Sequence, residues 1–448
     1  MSFLPVILHN ISEKYMFKFV QKSVLLKVLS INSISIGVSM ILGIFSSKII
    51  SVFLGTSGMA MLGSFRNFST MTKSISTIGI NNSVVKLIVD HKENKNELSK
   101  IYSTFFWVFM LFSIFISILG LLFSNSISYF LFYTKSYSFA VQLFMLCIPF
   151  MVTNVFWLAI FNGYEKYKTI VLVQIISNVL IFCSTALLIW KNNLLGGLLS
   201  ITIGEIIFFL VTLYFLNKQK ILVDFKIHRT ISKNIVSNIK RFSVMALFSA
   251  IIAPLTLIII RKNIIHFYSI EEAGLWDASN RFSNFYMVFF STGLTMYYMP
   301  KLASLKNEFE FKNELKSYYK VLVPLVLLLL SIIYFLKKYI VIIAFSSEFS
   351  PINDLLIWQL AGDFIKILTL AFGFQVVVKT MLKRYLLIES VFNIAYFGLS
   401  YILFEHAGAK AAVQAYFFAN CISFLLVIVL FRKIFFNWNS ISEDNSQQ

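Results

Sequence analysis

The chain has 448 residues, of which 58% are hydrophobic, 17% aromatic and only 13% charged. Its mean hydropathy of +0.80 excludes an ordinary soluble domain. A net charge of +19 would suggest nucleic acid in a soluble protein, but in a membrane protein cytoplasmic loops collect Lys and Arg, so no nucleic-acid partner is expected.

Most of the length is cut into apolar runs of about 20 residues, each able to cross a bilayer as a helix. A transmembrane β-barrel would show short alternating segments instead. The expected fold is all-α and polytopic. The first 23 residues, "MSFLPVILHNISEKYMFKFVQKS", have no basic region before their apolar patch and no small-residue cleavage site. They read as a cytoplasmic segment rather than a signal peptide.

Spans are expected at about 24–50, 57–89, 101–124, 137–161, 169–190, 195–216, 237–262, 273–304, 317–344, 353–379, 385–404 and 410–431, roughly twelve in all. The connections are short. The longest, "NKQKILVDFKIHRTISKNIVSNIK", lies at the midpoint. This divides the chain into an N-lobe (24–216), a cytoplasmic linker (217–236), a C-lobe (237–431) and a cytoplasmic tail (432–448). With both termini in the cytoplasm, inner segments carry about 26 Lys and Arg and outer ones about 8, the asymmetry the positive-inside rule demands.

The second span contains "GSFRNFSTMTKSIST", with Arg66 and Lys73 where hydrocarbon should lie. Each charge at a span centre costs at least about 2.5–3.5 kcal/mol, so such groups face a partner or a cavity. Arg66, Thr70, Lys73, Thr77 and Asn81 step by four, three, four and four, which puts them on one helical stripe. Lys73 can alternatively snorkel to the inner surface. The eighth span repeats the device: Asp277, Arg281, Asn284, Ser291 and Thr295 share a stripe. Asp277 and Arg281, four apart, can pair with each other as a structural alternative to a ligand site. Arg281 follows Arg66 by roughly 215 positions, near half the chain, which suggests two parallel six-span repeats.

In the tenth span, "WQLAGDFIK" sets Gln359, Asp363 and Lys366 on one face, and Asp363 is placed to neutralise Lys366. Arg261, at the end of the seventh span, reads as a snorkelling side chain. Glu389 reads as a partner for Arg384. Glu205, mid-span in the sixth, has no evident local partner and is a weak candidate for a protonatable site. The second span has no acid to offset its two cations, so a cavity between the halves suits an anion. Guanidinium binds phosphate oxygens in bidentate fashion and Lys adds a point charge.

Three single cysteines, Cys147, Cys183 and Cys421, neither pair by spacing nor form a metal motif. The five histidines are scattered, with no nucleophile–base pair among them. Neither a cofactor, a bound metal nor enzymatic activity is expected.

"AGLWDASNRFSNFYMVFFSTGLTMYYMPKLASL", "WQLAGDFIKILTLAFGFQVVVKTMLKRYLLIES", "GSFRN", "RFSVMALFSAIIAPL" and "GAKAAVQAYF" resemble the Wzx flippases of the multidrug/oligosaccharidyl-lipid/polysaccharide exporter superfamily. The resemblance runs from about residue 24 onward and is nearest the O-antigen and enterobacterial-common-antigen (lipid III) types, with "WQLxGDxxK" its most specific part. It implies a twelve-helix, two-lobed, MATE-like transporter of the bacterial inner membrane. Such a protein moves an undecaprenyl-diphosphate-linked oligosaccharide to the periplasmic leaflet by alternating access. By motif match, Arg66, Arg281 and Lys366 would hold the diphosphate, joined by Lys73 on the Arg66 stripe. Asp277 and Asp363 could pair with these cations or couple to an ion, with Thr70, Asn81 and Asn284 as polar cavity groups. The partners implied are the lipid-linked oligosaccharide, membrane lipids, an O-antigen polymerase and a chain-length regulator. The rival readings are a MATE-type small-molecule exporter, a lipid II flippase (which usually carries two extra helices) and, from another class, a membrane glycosyltransferase or polymerase.

Overall fold

The computed structural model describes residues 24–78, 81–219, 240–305 and 307–432. The N-terminal segment and nearly all of the linker and tail lie outside these residues.

Eleven α-helices make up the described chain. They are α1 (Val24–Ser76), α2 (Asn81–Asp90), α3 (Lys95–Leu122), α4 (Ser124–Phe132), α5 (Ser138–Gly163) and α6 (Tyr167–Lys218) in the first half. The second half has α7 (Lys240–Phe267), α8 (Ile270–Ser304), α9 (Glu308–Ala344), α10 (Ile352–Val378) and α11 (Leu382–Leu430). In hydrocarbon every backbone N–H and C=O needs a partner, which long helices supply within themselves.

Three of these helices turn back on themselves. Gly55, at φ 64° and ψ −164°, folds α1 into two passes. Only glycine adopts that combination readily. Asn192 and Asn193 do the same for α6, Asn193 at φ 47°. Gly408, at φ 48°, marks the corresponding place in α11. Among the described residues, nine stretches are long and apolar enough to cross a membrane. Two of them fold back at these hinges, and α8, too polar to qualify by hydropathy, is 35 residues long and packs among them, long enough for a further pass. Counted this way, the described residues account for the roughly twelve passes expected.

Polar residues set the starts of several helices. The Asn94 side chain accepts from Asn96 N and Glu97 N at 3.1 and 3.2 Å at the head of α3. Ser269 accepts from Glu272 N at 3.2 Å before α8, and Asn307 accepts from Glu310 N at 2.8 Å before α9. Each satisfies an N–H that the helix leaves unpaired.

One expected span is cut short. The second pass ends at Ser76, and Ile78 takes a left-handed φ of 52°. Thr77 N closes onto Lys73 O and Ile78 N onto Ile75 O, so the helix terminates in a tight turn. A separate helix, α2, then starts at Asn81, whose side chain lies outside the described residues.

The core of the first half is built on aromatic rings: Phe65 packs on Phe68, Phe132 and Phe144 with centroids 5.5–6.4 Å apart. In the second half, Phe311, Phe372 and Phe431 form a separate cluster. Outward-facing side chains such as Phe335, Leu122 and Val321 are apolar, as a lipid-facing surface requires.

The halves meet along α1, which packs on α6 within its own half and on α7 and α8 across the interface. The approach is close at the Gly55 hinge. A Cβ on Gly274 would lie 2.0 Å from the Thr56 carbonyl oxygen, so α8 touches the α1 backbone directly. Nearby, Ser346 N donates to Ser51 Oγ at 2.9 Å, and Lys48 Nζ donates to the Ile342 and Phe345 carbonyls at 2.8 and 2.6 Å. Ser57 Oγ donates to Glu271 at 3.2 Å at the same end.

Candidate functional site

Helix α1, returning from Gly55, carries Arg66 into the middle of the bundle, and α8 brings Arg281 to it from the other half. Both arginines line one cavity of about 250 Å³, with Ser46, Thr185, Ser200 and Glu205 among its other walls. Both are only partly buried. Arg281 Nε donates to Ser47 Oγ in the first pass of α1. The two guanidinium groups lie within electrostatic range of each other, and Asp277 is within range of both.

Two acids sit beside the cavity, and each is already engaged. Asp277 does not pair with Arg281, four residues along its own helix. Arg261 of α7 takes both its oxygens, Nε to Oδ2 and Nη2 to Oδ1, at 2.5 Å each. Arg261 is therefore not a snorkelling side chain. It is 1% exposed, stacks its guanidinium 5.4 Å from the Trp276 ring centroid, and reaches Ser64 Oγ at 3.4 Å. The reason is steric as well as electrostatic. Gly63 leaves room for the Asp277 carboxylate against α1, where a Cβ would approach its Oδ2 to 2.4 Å.

Glu205, from the second pass of α6, holds Lys73 at 2.5 Å between Nζ and Oε1. The second pass of α1 supplies no acid, but α6 supplies one across the helix–helix contact. Helical spacing within a single span cannot reveal such a partner. The available signal was the stretch "SITIGE", a carboxylate on a face of small residues in the middle of a span.

Asp363 is fully buried in α10. The expected ion pair with Lys366 is replaced by hydroxyl donors. Ser283 donates at 2.6 Å and Tyr416 at 2.8 Å, with Tyr286 as the third. Lys366 is exposed, with Nζ 5.8 Å from the Tyr416 ring centroid, and stays within electrostatic range of Asp363 and Glu389. Neither Asp363 nor Lys366 lines the Arg66–Arg281 cavity. Thr70 and Asn284 are exposed and also outside its walls. The Asn81 side chain lies outside the described residues. No group of three or more His, Cys, Asp or Glu residues suited to a metal occurs among the described residues.

The family model described as "Polysaccharide biosynthesis protein" matches residues 25–306, more than half of the chain. The chain belongs to that family. It is 24% identical over 395 residues to the lipid III flippase of Escherichia coli (strain K12), covering 87% of this chain and 95% of that protein. Among solved structures, it is similar to the lipid II flippase MurJ in an inward closed conformation, with TM-score 0.72 and 16% identity over 90% of this chain and 89% of that one. It is also similar to an inward-facing multidrug resistance MATE family transporter, with TM-score 0.70 and 12% identity over 90% and 96%. The chain thus shares the all-helical fold of these transporters and is a multi-pass membrane protein, and its likeness to them points to transport rather than catalysis.

Proposed function

We propose that the chain is a flippase for an undecaprenyl-diphosphate-linked oligosaccharide in the bacterial inner membrane. The O-antigen repeat unit or the lipid III of enterobacterial common antigen would cross from the inner to the outer leaflet by alternating access. Both termini face the cytoplasm, in keeping with the surplus of Lys and Arg in the inner connections.

One observation carries this reading. Lys73 is neutralised by Glu205, and Arg261 by Asp277, at the edge of the cavity. Among the described residues, Arg66 and Arg281 remain as two cationic walls with no carboxylate in ion-pair contact, although Asp277 is within range of both. A diphosphate esterified at both ends carries two ionised oxygens, so charge and number match. Guanidinium groups from opposite halves can each fork onto one phosphate. The cavity is smaller than the 300–1,000 Å³ or so typical of drug-sized ligands, which suits a headgroup rather than a whole sugar chain. A wall of arginines also disfavours the organic cations that a drug exporter carries. The O-antigen polymerase and the chain-length regulator are the expected partners downstream.

The test is genetic. In hosts lacking their own flippase, the chain restores surface polysaccharide in at least one, and its Arg66→Ala variant at equal protein level does not. Failure of the well-inserted wild type across hosts with diverse repeat units overturns the proposal.

A further inference from the structure

The two acids beside the cavity are held in different ways. Asp277 is locked: both oxygens are bonded to Arg261, the pair is buried, and Gly63 walls it in. Glu205 is held by one bond, from Lys73, whose side chain is 31% exposed while that of Glu205 is 20% exposed. Glu205 is itself a cavity wall, beside Arg66 and Arg281. Lys73 lies two turns from Arg66 on the same helix, about 10 Å along the axis. Lys73 is not itself a cavity wall, but its ammonium lies 2.5 Å from the carboxylate of Glu205, which is one, so it borders the space beside Arg66.

We infer that Glu205 is an exchangeable counter-ion that occupies Lys73 in the empty cavity and gives it up to the diphosphate. The inference rests on the diphosphate reading above and extends it to the binding cycle. An entering anion takes the Lys73 ammonium through a phosphate oxygen, and the Glu205 carboxylate turns to water. When the substrate leaves, Glu205 recaptures Lys73 and so competes the anion off. No bond is made or broken covalently. Asp277 cannot serve in this way, because freeing it would strand Arg261 in a buried site. Glu205 thus weakens binding in order to speed release, a role opposite to that of a residue that merely supports the fold.

The experiment uses the full chain in nanodiscs, with farnesyl diphosphate as the probe. Glu205→Gln leaves Lys73 without a competitor, so half-saturation falls roughly tenfold and probe dissociation slows by a similar factor. Glu205→Ser, smaller and also neutral, behaves alike and guards against a packing artefact in either variant. In a Lys73→Gln background the gain from Glu205→Gln disappears, because the two residues act through one contact. Unchanged or weaker affinity in both monodisperse Glu205 variants, with wild-type binding intact, overturns the counter-ion exchange and leaves the diphosphate reading standing. Absence of farnesyl diphosphate binding in the wild type overturns both.

Discussion

Arg261 and Asp277 form a two-pronged ion pair between α7 and α8, 2.5 Å on each arm, inside the bundle and within reach of Ser64 on α1. It joins three helices from both halves next to the arginine cavity. Removing one partner leaves a bare charge in a dry site, at a cost of about 3–5 kcal/mol. Asp277→Asn and Arg261→Met are therefore each expected to lower the melting temperature in detergent sharply. The double replacement Arg261→Met with Asp277→Leu recovers much of the loss, since packed apolar groups substitute well for a buried pair. Equal damage in the double and single variants contradicts this.

Gly63 tests the same contact from the other side. Gly63→Ala drives a Cβ into the Asp277 carboxylate. Overpacking of this kind costs about 1–3 kcal/mol. Gly373→Ala meets nothing within 4 Å and serves as the matched control. Thermal unfolding of the two variants side by side separates a specific clash from a general intolerance of alanine.

At the hinge, Gly55→Ala is expected to destabilise by about 1–3 kcal/mol, because no alanine rests easily at φ 64° and ψ −164°. Its new Cβ would also lie 3.2 Å from Glu348 Oε2. Lower yield of monodisperse protein, with a reduced melting temperature, is the readout.

Asp363 relies on three hydroxyls for its hydrogen bonds. Tyr416→Phe removes one of them but keeps the ring beside Lys366. Loss of a hydrogen bond to a charged group costs about 1.5–3 kcal/mol. Stability should fall by that amount, and Tyr286→Phe should act similarly. No change in either variant would show that the carboxylate is satisfied by other means.

Most of the spans and the breaks between them could be read from local pattern, because hydropathy and the helical period are properties of neighbouring residues; of the stripe bearing Arg66, among the described residues, only Arg66 itself lines the cavity. Arg66 and Arg281, roughly 215 positions apart in sequence, line one cavity. The pairings were a different matter. Lys73 finds Glu205 and Arg261 finds Asp277 across helix–helix contacts, and no intrahelical spacing encodes those. Asp277 prefers Arg261 to the nearer-in-sequence Arg281 because Gly63 opens a slot on its side of α8, a packing fact that appears only once α1 and α8 are laid together. The end of the second pass at Ser76 was masked by the apolar residues that continue through "STIGINNSVV". Hydropathy reports what can be buried, whereas the left-handed Ile78 reports where the helix ends.

The central claim is that Arg66 and Arg281 together carry the diphosphate of a lipid-linked sugar across the membrane. The most direct measurement is translocation of a fluorescent prenyl-diphosphate-linked oligosaccharide in liposomes holding the purified chain. Wild type is expected to move it between leaflets, while Arg66→Ala and Arg281→Ala each slow it by at least roughly thirtyfold, and Arg66→Lys by less, since it keeps the charge but loses the fork. Translocation at the wild-type rate by well-inserted Arg66→Ala and Arg281→Ala would contradict the account.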